Sequence, residues 1–199
     1  MITINNINQS KPYSMFNELY LEAKNKNQSS IEAIAISSYN PLLNEVESRF
    51  VNLKYIQDNK WIFFTNYNSP KSHQFASHQQ ISALFYWNST NTQIRIKAEI
   101  CKTSKDFSDQ HYLGRSLNKN SLAHSSDQSF CIDSYEEVLD KYNNALANSN
   151  LLLSRPDYWG GFSFKPYYFE FWKGEKNRLN KRDAFNINNN EWKHSFLQP

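Results

Sequence analysis

The sequence predicts a mainly β domain with peripheral helices, built on an antiparallel sheet or barrel. Three observations carry this. Thr92–Lys102 alternates strictly, with Ile94, Ile96, Ala98 and Ile100 on one face, the clearest strand pattern in the chain. Strand-like segments outnumber helical ones and are joined to their neighbours by short turns. Strands and helices do not follow the β-α-β alternation of a doubly wound fold. The 199 residues, 39% hydrophobic and 16% aromatic, suit one domain with a sizeable core.

From the N-terminus, residues 12–26 place Met15, Phe16, Leu19 and Ala23 at the spacing of a short amphipathic helix. Ile31–Ser37 alternates like a half-buried strand. Val46–Ile56 reads as a second strand and Trp61–Asn66 as a third, with Gln57-Asp58-Asn59-Lys60 as the hairpin turn between them. Ser69 as N-cap and Pro70 in the first turn open a helix running through His78. Ile81–Trp87 is apolar and aromatic enough for a buried strand. Beyond Lys102, helical stretches are expected at about 104–117 and 134–147, separated by a polar segment from Asn118 to Ser129. Phe162–Trp172 and Ala184–Ile187 return to strand character, with a turn over Lys173-Gly174-Glu175-Lys176-Asn177. No internal repeat or interdomain linker stands out.

Composition excludes several chemistries. The four glycines, Gly114, Gly160, Gly161 and Gly174, form neither a dinucleotide-binding nor a phosphate-binding loop, so a bound phosphate must be held mainly by side chains. No long apolar run predicts a membrane span, and Met1–Lys11 lacks the apolar centre of a secretory signal; a soluble cytoplasmic protein is expected. The 22 basic residues are nearly matched by 19 acidic ones and form no stripe, which argues against nucleic acid as a partner. Cys101 and Cys131 are expected as reduced, partly buried thiols. His73, His78, His111, His124 and His194 show no metal-ligand spacing, and no G-x-S-x-G elbow offers a nucleophile.

Three clusters remain that suit an anion. Strand alternation places Arg49 with Val51 and Leu53, and Lys54 on the opposite face. Arg49 then either snorkels to water or meets an anion. If both cations serve one ligand, the strand must bulge or the site must lie at a subunit seam. Phe64-Thr65-Asn66 runs into the helix that opens at Ser69-Pro70-Lys71, where free N–H groups and the Lys71 charge suit an anion, though an ordinary capped helix with a solvated lysine is the commoner case. Trp172, Arg178 and Arg182 flank a turn; guanidinium groups there suit phosphate, though basic turns are also common on surfaces. Gln93, Gln128 and Ser129 could hydrogen-bond a heteroaromatic ring.

Taken in order, Arg49-Phe50-Val51-Asn52-Leu53-Lys54, Phe64-Thr65-Asn66, Trp159-Gly160-Gly161-Phe162 and Glu170-Phe171-Trp172, followed by Arg178-Leu179 and Arg182, resemble the pyridoxamine 5'-phosphate oxidase family. The resemblance spans nearly the whole chain. It implies one FMN-binding split β-barrel over residues 1–199: a helical arm at 1–28, barrel strands at 30–103, a helical insertion at 104–150 and C-terminal strands at 158–199. It further implies a homodimer with FMN at the interface. Arg49, Phe50, Val51, Lys54, Phe64, Thr65, Lys71, Gln93, Gln128, Ser129, Trp172 and Arg182 would hold the cofactor. Lys54, Tyr112, Arg115 and Ser121 would hold the substrate phosphate, with Arg178 and Asn180 at the reacting ring. The implied reaction passes a hydride from pyridoxamine or pyridoxine 5'-phosphate to the flavin, which O2 reoxidises to give H2O2 and pyridoxal 5'-phosphate.

Departures from the family pattern bear on the substrate. Arg-Leu-His becomes Arg178-Leu179-Asn180, replacing a titratable ring by an amide. Ser-Arg-Lys becomes Ser69-Pro70-Lys71, with one guanidinium fewer, and the usual C-terminal Arg-Leu-x-Pro becomes Phe196-Leu197-Gln198-Pro199. An oxidase of another aromatic substrate, of the phenazine-biosynthesis type, and a flavin-binding protein with little turnover therefore stay open.

Overall fold

The computed structural model describes all residues, 1–199. Ten strands form one sheet: β1 (Thr3–Ile7), β2 (Ala33–Asn40), β3 (Glu45–Asn52), β4 (Tyr55–Asp58), β5 (Lys60–Asn66), β6 (Gln80–Trp87), β7 (Thr92–Lys102), β8 (Trp159–Lys173), β9 (Lys181–Asn188) and β10 (Glu191–Phe196). Five α-helices accompany them: α1 (Lys11–Asn25), α2 (Pro70–Ser77), α3 (Lys105–Leu113), α4 (Leu117–Ser125) and α5 (Tyr135–Ala147). The strand order is β1-β4-β5-β8-β7-β6-β2-β3, with β9 branching from β8 and β10 pairing β9. The sheet is mixed and does not close on itself.

The alternation of β7 is realised in full: Ile94, Ile96, Ala98 and Ile100 are all buried. They face a core rich in aromatic side chains, into which α1 drops Tyr13, Phe16 and Tyr20. Phe16 meets the Trp61 ring edge-on at 4.4 Å and lies within 6 Å of Phe85 and Trp87. Edge-to-face geometry lets the positive ring edge meet the negative ring face, beyond the gain from removing apolar area from water.

The structure corrects several expectations. The polar Thr3–Ile7 forms a strand that pairs in parallel with β4, so the sheet is not purely antiparallel. The run expected as one strand over Val46–Ile56 is two, because the ladder breaks at Leu53 and Lys54. There Leu53 N–H turns to Glu32 O at 2.9 Å and Lys54 N–H to Ile62 O at 2.8 Å. Leu117–Ser125, expected as a polar connection, is helical. It buries Asn120, Ser121 and Ala123, a face of small and polar side chains that leaves no apolar periodicity. Glu191–Phe196, which alternates weakly, pairs with β9. Both cysteines are exposed rather than partly buried. No helix is long and apolar enough to cross a membrane.

Phe16 is fully buried at the centre of the aromatic cluster. Phe16→Ala should therefore lower unfolding free energy by roughly 3–5 kcal/mol, measured by urea denaturation. A loss below about 1 kcal/mol would show that α1 docks outside the cooperative core.

Candidate functional site

A cavity of about 580 Å3 lies where the end of β3, the Leu53–Lys54 break, the end of β5, the first turn of α2 and the α3–α4 junction converge. Four basic side chains line it, Lys54, Lys71, Arg115 and Lys119, and no carboxylate does. One wall is aromatic: the Phe64 and His111 rings lie 3.6 Å apart and nearly parallel, with Trp159 stacked at 5.4 Å from Phe64. Gly161 makes room for this wall, since a Cβ there would meet Thr103 Oγ1 at 2.6 Å and the Phe64 ring at 3.1 Å.

The break between β3 and β4 settles the parity of Lys54. Strict alternation would turn Lys54 away from Val51, yet both line the cavity because the chain leaves the strand conformation between them. Burial and the neighbouring Lys119 and Arg115 disfavour the Lys54 charge, while Glu32 partly restores it. Arg115 stacks over the Trp159 ring at 4.2 Å and donates to Lys119 O at 2.9 Å. Its buried Nη1 has no partner in the chain. An orphaned guanidinium nitrogen among unopposed cations is the arrangement an anionic oxygen would complete.

Lys71 is only 7% exposed. Its ammonium reaches Ser69 Oγ at 3.0 Å and Thr65 Oγ1 at 3.3 Å, and finds no acid. Ser69 makes no side-chain cap; its hydroxyl instead donates to Asn66 O at 2.7 Å. Gln128 closes this corner, its Oε1 accepting from Thr65 Oγ1 at 2.8 Å and from Asn66 N–H at 3.2 Å.

Other predicted residues lie elsewhere. Arg49 is neither snorkelled nor free. It donates to Ser38 Oγ at 2.6 Å and Gln74 Oε1 at 3.1 Å, and its salt bridge is to Glu47 at 3.1 Å. The anion it meets is thus the chain's own, and it does not line the cavity. Phe50 stands at the rim, 75% exposed. Ser129 lines a second cavity of about 500 Å3 that shares Leu122 and Ser126 with the first.

Tyr112 and Ser121, expected at a substrate phosphate, are both buried outside the cavity. The Tyr112 hydroxyl is paired with His124 Nε2 at 3.0 Å, and Ser121 Oγ donates to Tyr142 O at 2.7 Å. His111 and Lys119 line the cavity instead. Tyr112 is expected from the family resemblance; since α3 ends at Leu113, before Arg115, helical spacing alone does not tie His111 to that arginine.

A second group sits on neighbouring strands. Gln93 on β7 is in register with Trp172 on β8, which is in register with Arg182 on β9. Arg182 makes two bonds to the buried Glu170, at 2.8 and 3.0 Å, and Arg95 reaches the other oxygen of that carboxylate at 2.8 Å. Arg178 and Asn180 lie in the turn beyond β8. Arg178 takes the left-handed conformation (φ 62°), and Asn180 Oδ1 accepts from Glu175 N–H at 3.0 Å. None of these five residues lines the cavity, so one chain carries the predicted site as two separate groups.

Burial, and then the nearby Arg49, lowers the Lys71 pKa from 10.5 to about 8. Below pH 8 the charge opposes folding; between about 8 and 10.5 the unfolded chain holds the extra proton, so stability rises with pH. Lys71→Met should therefore raise the Tm of the ligand-free protein at pH 7 by a few degrees, on the order of 2 kcal/mol, with the gain fading from about pH 8 and gone by about 10.5. Thermal unfolding of both proteins across that range checks the sign.

Comparisons with known proteins bear on family and fold. A family model described as the pyridoxine 5'-phosphate oxidase C-terminal dimerisation region matches residues 159–199. The chain is 31% identical over 191 residues to a pyridoxine/pyridoxamine 5'-phosphate oxidase from Colwellia psychrerythraea, covering 94% of this chain and 87% of that one. It is 33% identical over 192 residues to another from Christiangramia forsetii, covering 94% and 88%. Among solved structures, PhzG from Burkholderia lata 383, in complex with tetrahydrophenazine-1-carboxylic acid, superposes with a TM-score of 0.89 at 26% identity, covering 96% of this chain and 93% of that one. A pyridoxamine 5'-phosphate oxidase-related, FMN-binding protein from Nostoc punctiforme superposes at 0.79 with 12% identity, covering 96% and 100%, and supports the split-barrel fold. With an identity above 30% sustained over nearly its full length, the chain belongs to the pyridoxine/pyridoxamine 5'-phosphate oxidase family.

Proposed function

We propose that the chain is an FMN-dependent oxidase converting pyridoxamine or pyridoxine 5'-phosphate to pyridoxal 5'-phosphate, with O2 reduced to H2O2. The observation that carries the reading is the cavity itself: four cations, an orphaned Arg115 nitrogen and a flat aromatic wall, with no carboxylate. Phosphate and a planar heteroaromatic ring are the chemistry that such a lining recognises. The curated relatives' names and the family fold support it.

In this reading Phe50, Val51, Phe64, Thr65, Lys71 and Gln128 hold the flavin, and Lys54, Arg115 and Lys119 hold the substrate phosphate. FMN, when bound, supplies a two-electron acceptor that O2 renews. The protein's task is then to fix two phosphates and two rings in register, for which binding and orientation suffice and no nucleophile is needed. Gln93, Trp172 and Arg182 complete the site from a second subunit, as the match to a dimerisation region over 159–199 suggests. Glu170 fixes Arg182 for that role, its Oε1 accepting from both Nε and Nη2 of the guanidinium. On the exposed edge strand β3, Val46 and Phe50 stand out at 69% and 75% exposure, which suits burial by the partner.

A second reading has its own observation. Asn180 is occupied in the β8–β9 turn, bonding the Glu175 backbone, and PhzG superposes closely. Another aromatic acid on the same scaffold would use the same cations.

An anaerobic titration separates the two. FMN-loaded protein mixed with pyridoxamine or pyridoxine 5'-phosphate should bleach, yield aldehyde and regain colour with oxygen; flavin that stays yellow with both would move the assignment to another aromatic anion. Lys54→Ala and Arg115→Ala should each raise KM for the phosphorylated vitamer about tenfold or more while flavin stays bound, since a charged hydrogen bond is worth roughly 1.5–3 kcal/mol. Unchanged KM in both would refute the phosphate assignment. Asn180→His should increase turnover of pyridoxine 5'-phosphate in steady-state assays; a neutral or harmful result would mean that the turn has been rebuilt around the amide.

A further inference from the structure

We propose that Glu47 is an affinity-determining residue of the cofactor site: its carboxylate occupies Arg49 in place of the FMN phosphate, and cofactor binding must displace it. The inference rests on the flavin reading above and concerns a residue that the sequence patterns do not assign.

Position carries it. Glu47, Arg49 and Val51 alternate along β3 and share its half-buried face, and Val51 lines the cavity. On α2, Lys71 and Gln74 are both buried, three residues apart and so on one side of the helix. Gln74 ties the helix to the strand. Its Oε1 accepts from Arg49 Nη2 at 3.1 Å and from Ser38 Oγ at 2.5 Å, and its Nε2 donates to Glu47 Oε1 at 2.7 Å. The other Glu47 oxygen accepts from Arg49 Nη2 at 3.1 Å. Two cations thus stand on elements joined by one glutamine. Lys71 opens on the cavity, and Arg49 is turned to the chain's own carboxylate.

The pair is unevenly anchored. Arg49 keeps 18% of its side chain exposed, whereas Glu47 keeps 40%. Burial disfavours the guanidinium charge and Glu47 restores it, so the arginine gains from an anion beside it. The carboxylate has less need of its partner, because water solvates it once released. Three further acceptors, Ile36 O, Ser38 Oγ and Glu47 O, are neutral and hold the guanidinium in place while the anion changes. A phosphate entering beside Lys71 offers more charge and more acceptor oxygens than one carboxylate, and meets both cations at once. Glu47 lowers the gain twice, through the ion pair that must break and through repulsion of the incoming dianion.

The test titrates flavin-free, full-length protein with FMN and with riboflavin, which lacks the phosphate, following the quenching of flavin fluorescence. Glu47→Gln keeps an oxygen for Arg49 and removes the charge. It should tighten FMN about fivefold and leave riboflavin within about twofold. Glu45→Gln removes an exposed carboxylate two residues earlier on the same strand and should change FMN affinity by less than about twofold. In an Arg49→Gln background, the gain from Glu47→Gln should shrink below about twofold. FMN affinity that is unchanged or weaker in Glu47→Gln would overturn the proposal. So would an equal gain for riboflavin, an equal gain from Glu45→Gln, or a gain that survives the loss of Arg49. Each of those results leaves the flavin reading intact. A wild-type protein that binds neither compound would instead refute that reading, and this inference with it.

Discussion

Strand β8 is the constraint from which both groups of predicted residues take their position. Its 15 residues pair with β5 at one end, with β7 along most of their length and with β9 at the other. The β5 end carries Trp159 and Gly161 into the cavity wall. The far end carries Trp172 into register with Gln93 and Arg182. A bulge near Lys97 and Ala98, opposite Pro166 and Tyr168, bends the strand between the two tasks. Proline lacks the N–H that a regular ladder would demand there, so the irregularity falls where the ladder loses least.

Much of this was legible in the sequence because it rests on periodicity. The apolar alternation of β7 and the spacing in α1 mark the core, and Ser69-Pro70 marks the start of α2 to the residue. What stayed hidden lacks an apolar signature. The strand β1 is too polar to announce itself, and α4 buries Asn120 and Ser121 through hydrogen bonds that hydrophobic spacing does not record.

The candidate site divides in the same way. Lys54, Phe64, Thr65, Lys71, Arg115 and Gln128 meet at one cavity, as their motifs imply. Tyr112 does not, because a one-residue step on a helix turns a side chain through about 100° and hands the cavity to His111. Ser121 faces α5 for the same reason. Arg49 shows the limit on partner choice: alternation places it on a half-buried face, and Glu47, two residues away, supplies the carboxylate it bonds in the single chain. Sequence spacing fixes which face a residue occupies more readily than which neighbour it bonds.

The absence of carboxylates from the cavity lining has a consequence for the lifetime of the folded chain. Like charges gathered in a poorly solvated space raise the free energy of the folded state and leave the unfolded chain untouched. A bound dianion removes that repulsion and binds only the folded form, so by mass action it deepens the native well by RT ln(1 + [L]/Kd). Supply of the anionic ligand would then govern how long a molecule persists between excursions to open states that proteases attack.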